Sequence, residues 1–277
     1  MRHLLPLILA LTLSAAPATA ETLRLGYDVH VGGVRLGRMS LETSVEGGRY
    51  RIGVAAKPGG LLGKLVKWTY AAESAGRVGG PAGVSPERFE STRTLRGKRF
   101  QAGLAYRPDG TVLPSHDPPQ SEEDAAAVPP EHRPGTVDLL SASAAVSLSA
   151  EAAGDRCGTR VPVYDGRRRY DVVAAATEPR RIGKSDEDAF VGEAQGCRVE
   201  IHPVSGFRKA KGRGDSFWTI AADGKPRHLD LWLGRPVPGG PLVPVRLEAD
   251  DVFYADIVGR LVSVERVEDA PTAAATP

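Results

Sequence analysis

The chain has 277 residues, with 36 Lys and Arg against 34 Asp and Glu and a formal net charge of +2. A balance so near neutral provides no global field for gripping a nucleic acid backbone, and two cysteines are too few for a cysteine-only zinc site. There is no Asn, so turns must be built from Gly, Asp, Pro and Ser.

Arg2 and His3 precede the apolar stretch Leu4 to Leu13, and small residues follow as far as Ala18-Thr19-Ala20. A positive start, a short apolar core and a small-residue cut site make a secretory signal. The apolar core is about half of the roughly 20 residues a membrane-crossing helix requires. Cleavage after Ala20 is therefore expected, releasing a periplasmic protein without a stable membrane span. Glu21 follows the cut, so the cysteine that carries lipid in bacterial lipoproteins is missing from that position. In an oxidising compartment, Cys157 and Cys197 are expected to form one disulfide.

From residue 21 onward the apolar residues repeat with period two. Leu23, Leu25, Tyr27, Val29 and Val31 alternate with mostly polar neighbours, which places them on one face of a strand. Gly32-Gly33 is a tight turn, Val34 to Val45 a second strand, and Tyr50 to Ala56 a third. Leu61, Leu62, Leu65 and Val66 read as one or two helical turns, and Trp68 and Tyr70 restart a strand. A hairpin is expected across Arg96-Gly97, joining Arg88 to Leu95 with Arg99 to Tyr106.

Composition shifts to Pro, Ser, Ala and acids at about 114–135, which reads as an exposed loop. One helix is expected after it, capped by Thr136 and running toward Ala153. Strands resume at Arg160 to Tyr164, turn at Asp165-Gly166, and continue through Val173. Further extended runs fall at Cys197 to Val204, Phe217 to Ala221, Arg227 to Leu233, Val243 to Ala249 and Leu261 to Val267. Residues 268–277 read as a disordered tail. The expectation is a mainly β protein: one β-rich domain over 21–267, with a large curved antiparallel sheet or open barrel-like fold and one or two helices.

Several short motifs occur in a telling order. They are Gly32-Gly33 with Gly37 in the opening hairpin, Gly135-Thr-Val-Asp-Leu-Leu-Ser141 leading into the helix, Val163-Tyr-Asp-Gly-Arg-Arg-Arg-Tyr170, and the late strands around Pro244 to Leu247. In this the mature chain resembles domain-of-unknown-function family 3108, a group of exported bacterial proteins. The resemblance implies a β-rich periplasmic fold similar to the open barrels of lipoprotein carriers. It brings no activity and no catalytic residue.

Reaction signatures are missing from the residues themselves. No Gly-x-Ser-x-Gly elbow occurs, and Gly59-Gly60-Leu61-Leu62-Gly63-Lys64 lacks both the spacing and the following Ser or Thr of a phosphate-binding loop. His30, His116, His132, His202 and His228 have no metal-ligand spacing, so neither metal nor other cofactor is expected. Two basic motifs, Arg167-Arg168-Arg169 and Arg208, Lys209, Lys211, Arg213, form a candidate anion site if the fold brings them together. Arginine on edges and turns also guards against aggregation. The strand aromatics Trp68, Tyr70, Phe100, Trp218, Trp232 and Phe253 are either core or the lining of a cavity. Three functions fit: a non-enzymatic binder or carrier of an apolar or anionic envelope molecule (a lipid or a glycan), a scaffold for an envelope protein, and a hydrolase of envelope polymers.

Overall fold

The computed structural model describes residues 21–60, 67–183, 188–209, 219–220, 226–252 and 255–268. In β1 (Glu21–Val31), Leu23, Leu25 and Tyr27 are buried and Arg24 between them is exposed, so the period-two pattern gives one core-facing edge. The chain continues through β2 (Val34–Glu46), β3 (Arg49–Pro58), β4 (Trp68–Val78), β5 (Val84–Leu95), β6 (Lys98–Tyr106) and β7 (Val112–Asp117). A short helix α1 (Glu122–Ala126), a 3-10 turn (Pro130–His132) and helix α2 (Leu139–Ala152) come next. The second half holds β8 (Gly158–Tyr164), β9 (Arg169–Ile182), β10 (Gly192–Ser205), β11 (Arg208–Lys209), β12 (Thr219–Ile220), β13 (Arg227–Gly234), β14 (Val243–Val252) and β15 (Ala255–Glu268).

Thirteen strands form one antiparallel sheet in the order β7-β6-β5-β4-β3-β2-β1-β15-β14-β13-β10-β9-β8, while β11 and β12 make a separate parallel pair. β1 and β15 lie side by side in mid-sheet, Glu21 opposite Glu268 and Val31 opposite Ile257, so the pairing joins the meander before α2 to the strands after it. The sheet is barrel-like but unclosed, because its edges β7 and β8 are not paired to each other. A side chain crosses near the gap: the Gln120 Nε2 lies 2.9 Å from His116 Nε2 in β7 and donates to the Gly166 carbonyl at 3.1 Å, at the β8–β9 turn.

Helix α2 packs against β8 and against β3, β4 and β5. Its buried residues Ser141, Ala142, Ala145, Val146 and Ala150 fall at helical spacing, and small side chains let the helix sit close to the sheet. It starts at an Asp138 cap rather than at Thr136. Val137 is held to β8, its N–H donating to the Pro162 carbonyl and its carbonyl accepting from Tyr164 N–H, both at 2.9 Å, so helical geometry cannot begin before Asp138. Thr136 instead donates its hydroxyl to the Arg133 carbonyl at 2.6 Å.

The 114–135 segment also carries structure that its composition hides. Pro114 to Asp117 belong to β7, Ser121 caps α1, and Val128 is 2 % exposed against Phe89, Leu104 and Tyr164. Proline on this edge strand costs no ladder bond to a neighbour. β9 runs on to Ile182, beyond the expected Val173. Its residues from Ala175 to Arg181 are exposed, so no apolar alternation marks them, and pairing with β10 holds them extended. The expected turns at Leu61 to Val66 and the tail beyond Glu268 lie outside the described residues, as does all of the Phe217 to Ala221 run except Thr219–Ile220.

Candidate functional site

The inner face holds the deepest polar cluster. Asp138, Ser141 and Ser74 are each fully buried. The Asp138 carboxylate accepts from Ser141 N–H at 2.9 Å, from the Ser141 hydroxyl at 2.5 Å and from the Ser74 hydroxyl at 2.9 Å. Tyr50 and Ser74 hydroxyls lie 2.6 and 2.8 Å from Ser141 Oγ, tying β3 and β4 to the first turn of α2. Burial raises the Asp138 carboxyl above the usual carboxylate range, against the pull of the serine hydrogen bonds. Burial likewise pushes the Tyr50 phenol up to about 12. An acid beside two serines suggests chemistry, but this one is sealed from solvent by packed apolar side chains, and its evident work is to anchor the helix within the sheet.

The two cysteines are bonded to each other, with Cα atoms 5.6 Å apart, and staple the chain just before β8 to β10 across β9. The basic motifs meet at their described members. A Cβ on Gly206 would lie 2.3 Å from the Arg167 carbonyl oxygen, so glycine alone lets the end of β10 approach the β8–β9 turn and bring Arg208 beside it. There the arginines are largely engaged: Arg208 pairs with Asp124 at 2.9 Å, Arg168 with Asp165 at 2.9 Å and Arg169 with Asp171 at 2.6 Å. Burial raises the Asp171 carboxyl, but hydrogen bonds from Arg160 and Arg169 outweigh it and hold the group below its ordinary value. Arg167 is exposed, and its positive field, after burial, helps keep His116 below the ordinary histidine value. Lys209 enters only through the backbone of β11; Lys211 and Arg213 lie outside the described residues.

The aromatics are dispersed. Tyr70 packs on the group around Phe89 and Leu104, Trp68 is half-buried at the start of β4, and Phe100 lies beneath the Arg93 guanidinium, 4.8 Å from the ring centre. Trp232 lies under Arg180 at 5.0 Å, and Trp218 and Phe253 fall outside the described residues. The inner face is occupied by three apolar groups, the largest built around α2, β8 and β10. Among the described residues no three His, Cys, Asp or Glu side chains group as metal ligands.

The outer face carries a feature that spacing along the chain does not reveal. Lys57 in β3 stands opposite Arg38, Arg38 opposite Asp28, Asp28 opposite Arg260, Arg260 opposite Arg246, and Arg246 opposite Trp232 in β13. By register these six residues line up across six adjacent strands, the charged five alternating with inward-facing neighbours such as Tyr27 and Leu261, and Trp232 itself partly buried against the apolar group to which those two belong. Arg35 joins them, bonding Asp28 at 2.8 Å beside Arg38 at 3.2 Å, and Arg180 bonds Glu248 at 3.1 Å while covering Trp232. Lys57 and Arg260 have no carboxylate partner among the described residues. A shallow hollow lined by Arg35, Gly37, Arg38, Lys57, Pro58 and Gly59 opens at the β2–β3 end. Two like-charged pairs thus face each other directly, Lys57 with Arg38 and Arg260 with Arg246, an arrangement that destabilises a sheet and is only partly offset by the bonds of Arg38 to Asp28 and of Arg246 to Glu248. Elsewhere on this face charges are balanced: Arg24 stands between Glu42 and Glu265, and Glu87 bridges Arg49 and Arg77.

A solved structure with a similar fold is the β-barrel-like protein of domain of unknown function DUF1849 from Brucella abortus. The TM-score is 0.54 at 11 % identity, covering 91 % of this chain and 100 % of that one. At that identity the likeness is one of fold alone. A search of curated proteins finds no match. The family model described as "Protein of unknown function (DUF3108)" matches residues 26–259, from β1 into β15 and so through nearly the whole sheet, and the chain belongs to that family.

Proposed function

We propose that this is a non-enzymatic protein of the bacterial envelope, exported to the periplasm, which binds an anionic envelope molecule on the outer face of its sheet. The observation that carries this reading is the row from Lys57 to Trp232, where cations oppose cations and Lys57 and Arg260 stand unpaired among the described residues. A fold under no other demand gains by alternating charges across strands, and an anion supplied from outside repays what the row costs. The inner face is filled by apolar side chains and α2, which favours binding outside over cargo within. The leader-like residues 1–20 and the Cys157–Cys197 bond fit an exported chain in an oxidising compartment.

The test is calorimetric titration with sodium polyphosphate. The variant K57Q/R38Q/R180Q removes three exposed cations while leaving Asp28 its bond to Arg35. Binding by the unaltered protein should weaken with salt. The variant, folded by circular dichroism, should show a slope of log affinity against log salt shallower by about 2. Equal binding by both proteins, or none by either, contradicts the reading.

A further inference from the structure

We infer that the ligand of this row is a linear acidic polysaccharide, a chain of uronate-bearing sugars laid across the strands; this rests on the outer-face reading above. The row runs perpendicular to the strands over six neighbours, about 24 Å at the usual strand spacing. That direction follows the curvature of a barrel-like sheet, so a flat bilayer meets only a few of these cations at once. A compact anion reaches two of them. A flexible chain follows the curve and reaches them all, and an extended run of pyranose rings advances by about one strand spacing per ring.

The surroundings of the row have the shape such a chain requires. One step along the strands lies a parallel line of small side chains, Ala55, Ser40, Gly26 and Ser263, opposite one another by register. Over these four strands the cations therefore have no bulky side chain beside them. Trp232 ends the row beneath the Arg180 guanidinium and packed against the core, so it holds Arg180 at the far end of the row as the last cation a chain would meet. Arg38, Arg35 and Arg180 keep 65, 44 and 45 % of their side-chain surface exposed, so they are reachable without rearrangement. Guanidinium forks match carboxylates bidentately.

Oligogalacturonates of graded length test this by calorimetry, with phosphatidylcholine vesicles, plain or doped with phosphatidylglycerol, as the comparison. Affinity should climb about tenfold or more from the dimer to a chain of about six rings, the length that lets one molecule engage Lys57, Arg38 and Arg35 at one end and Arg180 at the other, and then level off. The K57Q/R38Q/R180Q variant should lose most of that climb, and the two vesicle types should bind alike. No dependence on length overturns the inference, as does binding to phosphatidylglycerol vesicles without binding to the oligomers. In both cases polyphosphate binding would leave the outer-face reading standing, and its failure would remove both.

Discussion

Replacing Asp138 with Ala should cost the fold about 3–5 kcal/mol, because it strands Ser141 N–H and the Ser141 and Ser74 hydroxyls in a buried site and removes the cap of α2. Chemical denaturation should show the midpoint falling with the slope unchanged, and a loss under about 1 kcal/mol would contradict the anchoring role. Asp138→Asn adds a dependence on pH. Burial sets the Asp138 carboxyl higher in the folded protein than the roughly 3.9 of an unfolded chain. Folding thus favours the neutral acid, and its contribution is complete below the unfolded value and lost progressively as pH rises toward the folded one. Asn stays neutral throughout. Its deficit relative to Asp should therefore be largest in acid and shrink as pH rises, and a deficit that grew with pH would assign Asp138 a stabilising charge instead.

The second large effect is expected at the disulfide. Cys157 and Cys197 are 40 residues apart in sequence, and opening a loop of that size in the chain-entropy account costs about 4 kcal/mol. The double variant C157A/C197A keeps both sites apolar, as their burial requires. It should lose about that much in urea denaturation, without a change in the circular dichroism of the folded state. β9 lies between the two bonded positions, and its exposed stretch from Ala175 to Arg181 has little packing of its own. Hydrogen exchange in the variant should rise first there. Unchanged exchange in β9 would show that pairing with β10 alone holds it.

What could be read from the residues and what could not divides along a physical line. Strands with one face in the core carry their own alternation, so β1, β3 and the β5–β6 hairpin follow directly from Leu23, Tyr50 and Phe89 and their neighbours. Segments whose order comes from pairing alone leave no such mark, which is why the far half of β9 and the edge strand β7 escape notice. The helix was legible in its Ala-rich body, but its first residue depends on Val137 bonding to Pro162 and Tyr164 of β8, a contact that the residues around Val137 do not announce. The buried cluster had a partial signal in Asp138-Leu-Leu-Ser141, an acidic cap three residues ahead of a serine. Ser74 and Tyr50 had none, because only the folded sheet brings their strands against α2. The cationic row is the extreme case. Lys57, Arg38, Arg260 and Arg246 look scattered along the chain, and only register makes them neighbours.

The central claim is that the outer face binds and the inner face holds the fold. Arginine-specific modification by phenylglyoxal, mapped by peptide mass with and without sodium polyphosphate, tests it most directly. Protection should concentrate at Arg35, Arg38 and Arg180, with Arg167 and Arg208 reacting equally in both samples. Protection confined to Arg167 and Arg208 would move the site to the β8–β9 turn, and the absence of any protected arginine would contradict the account.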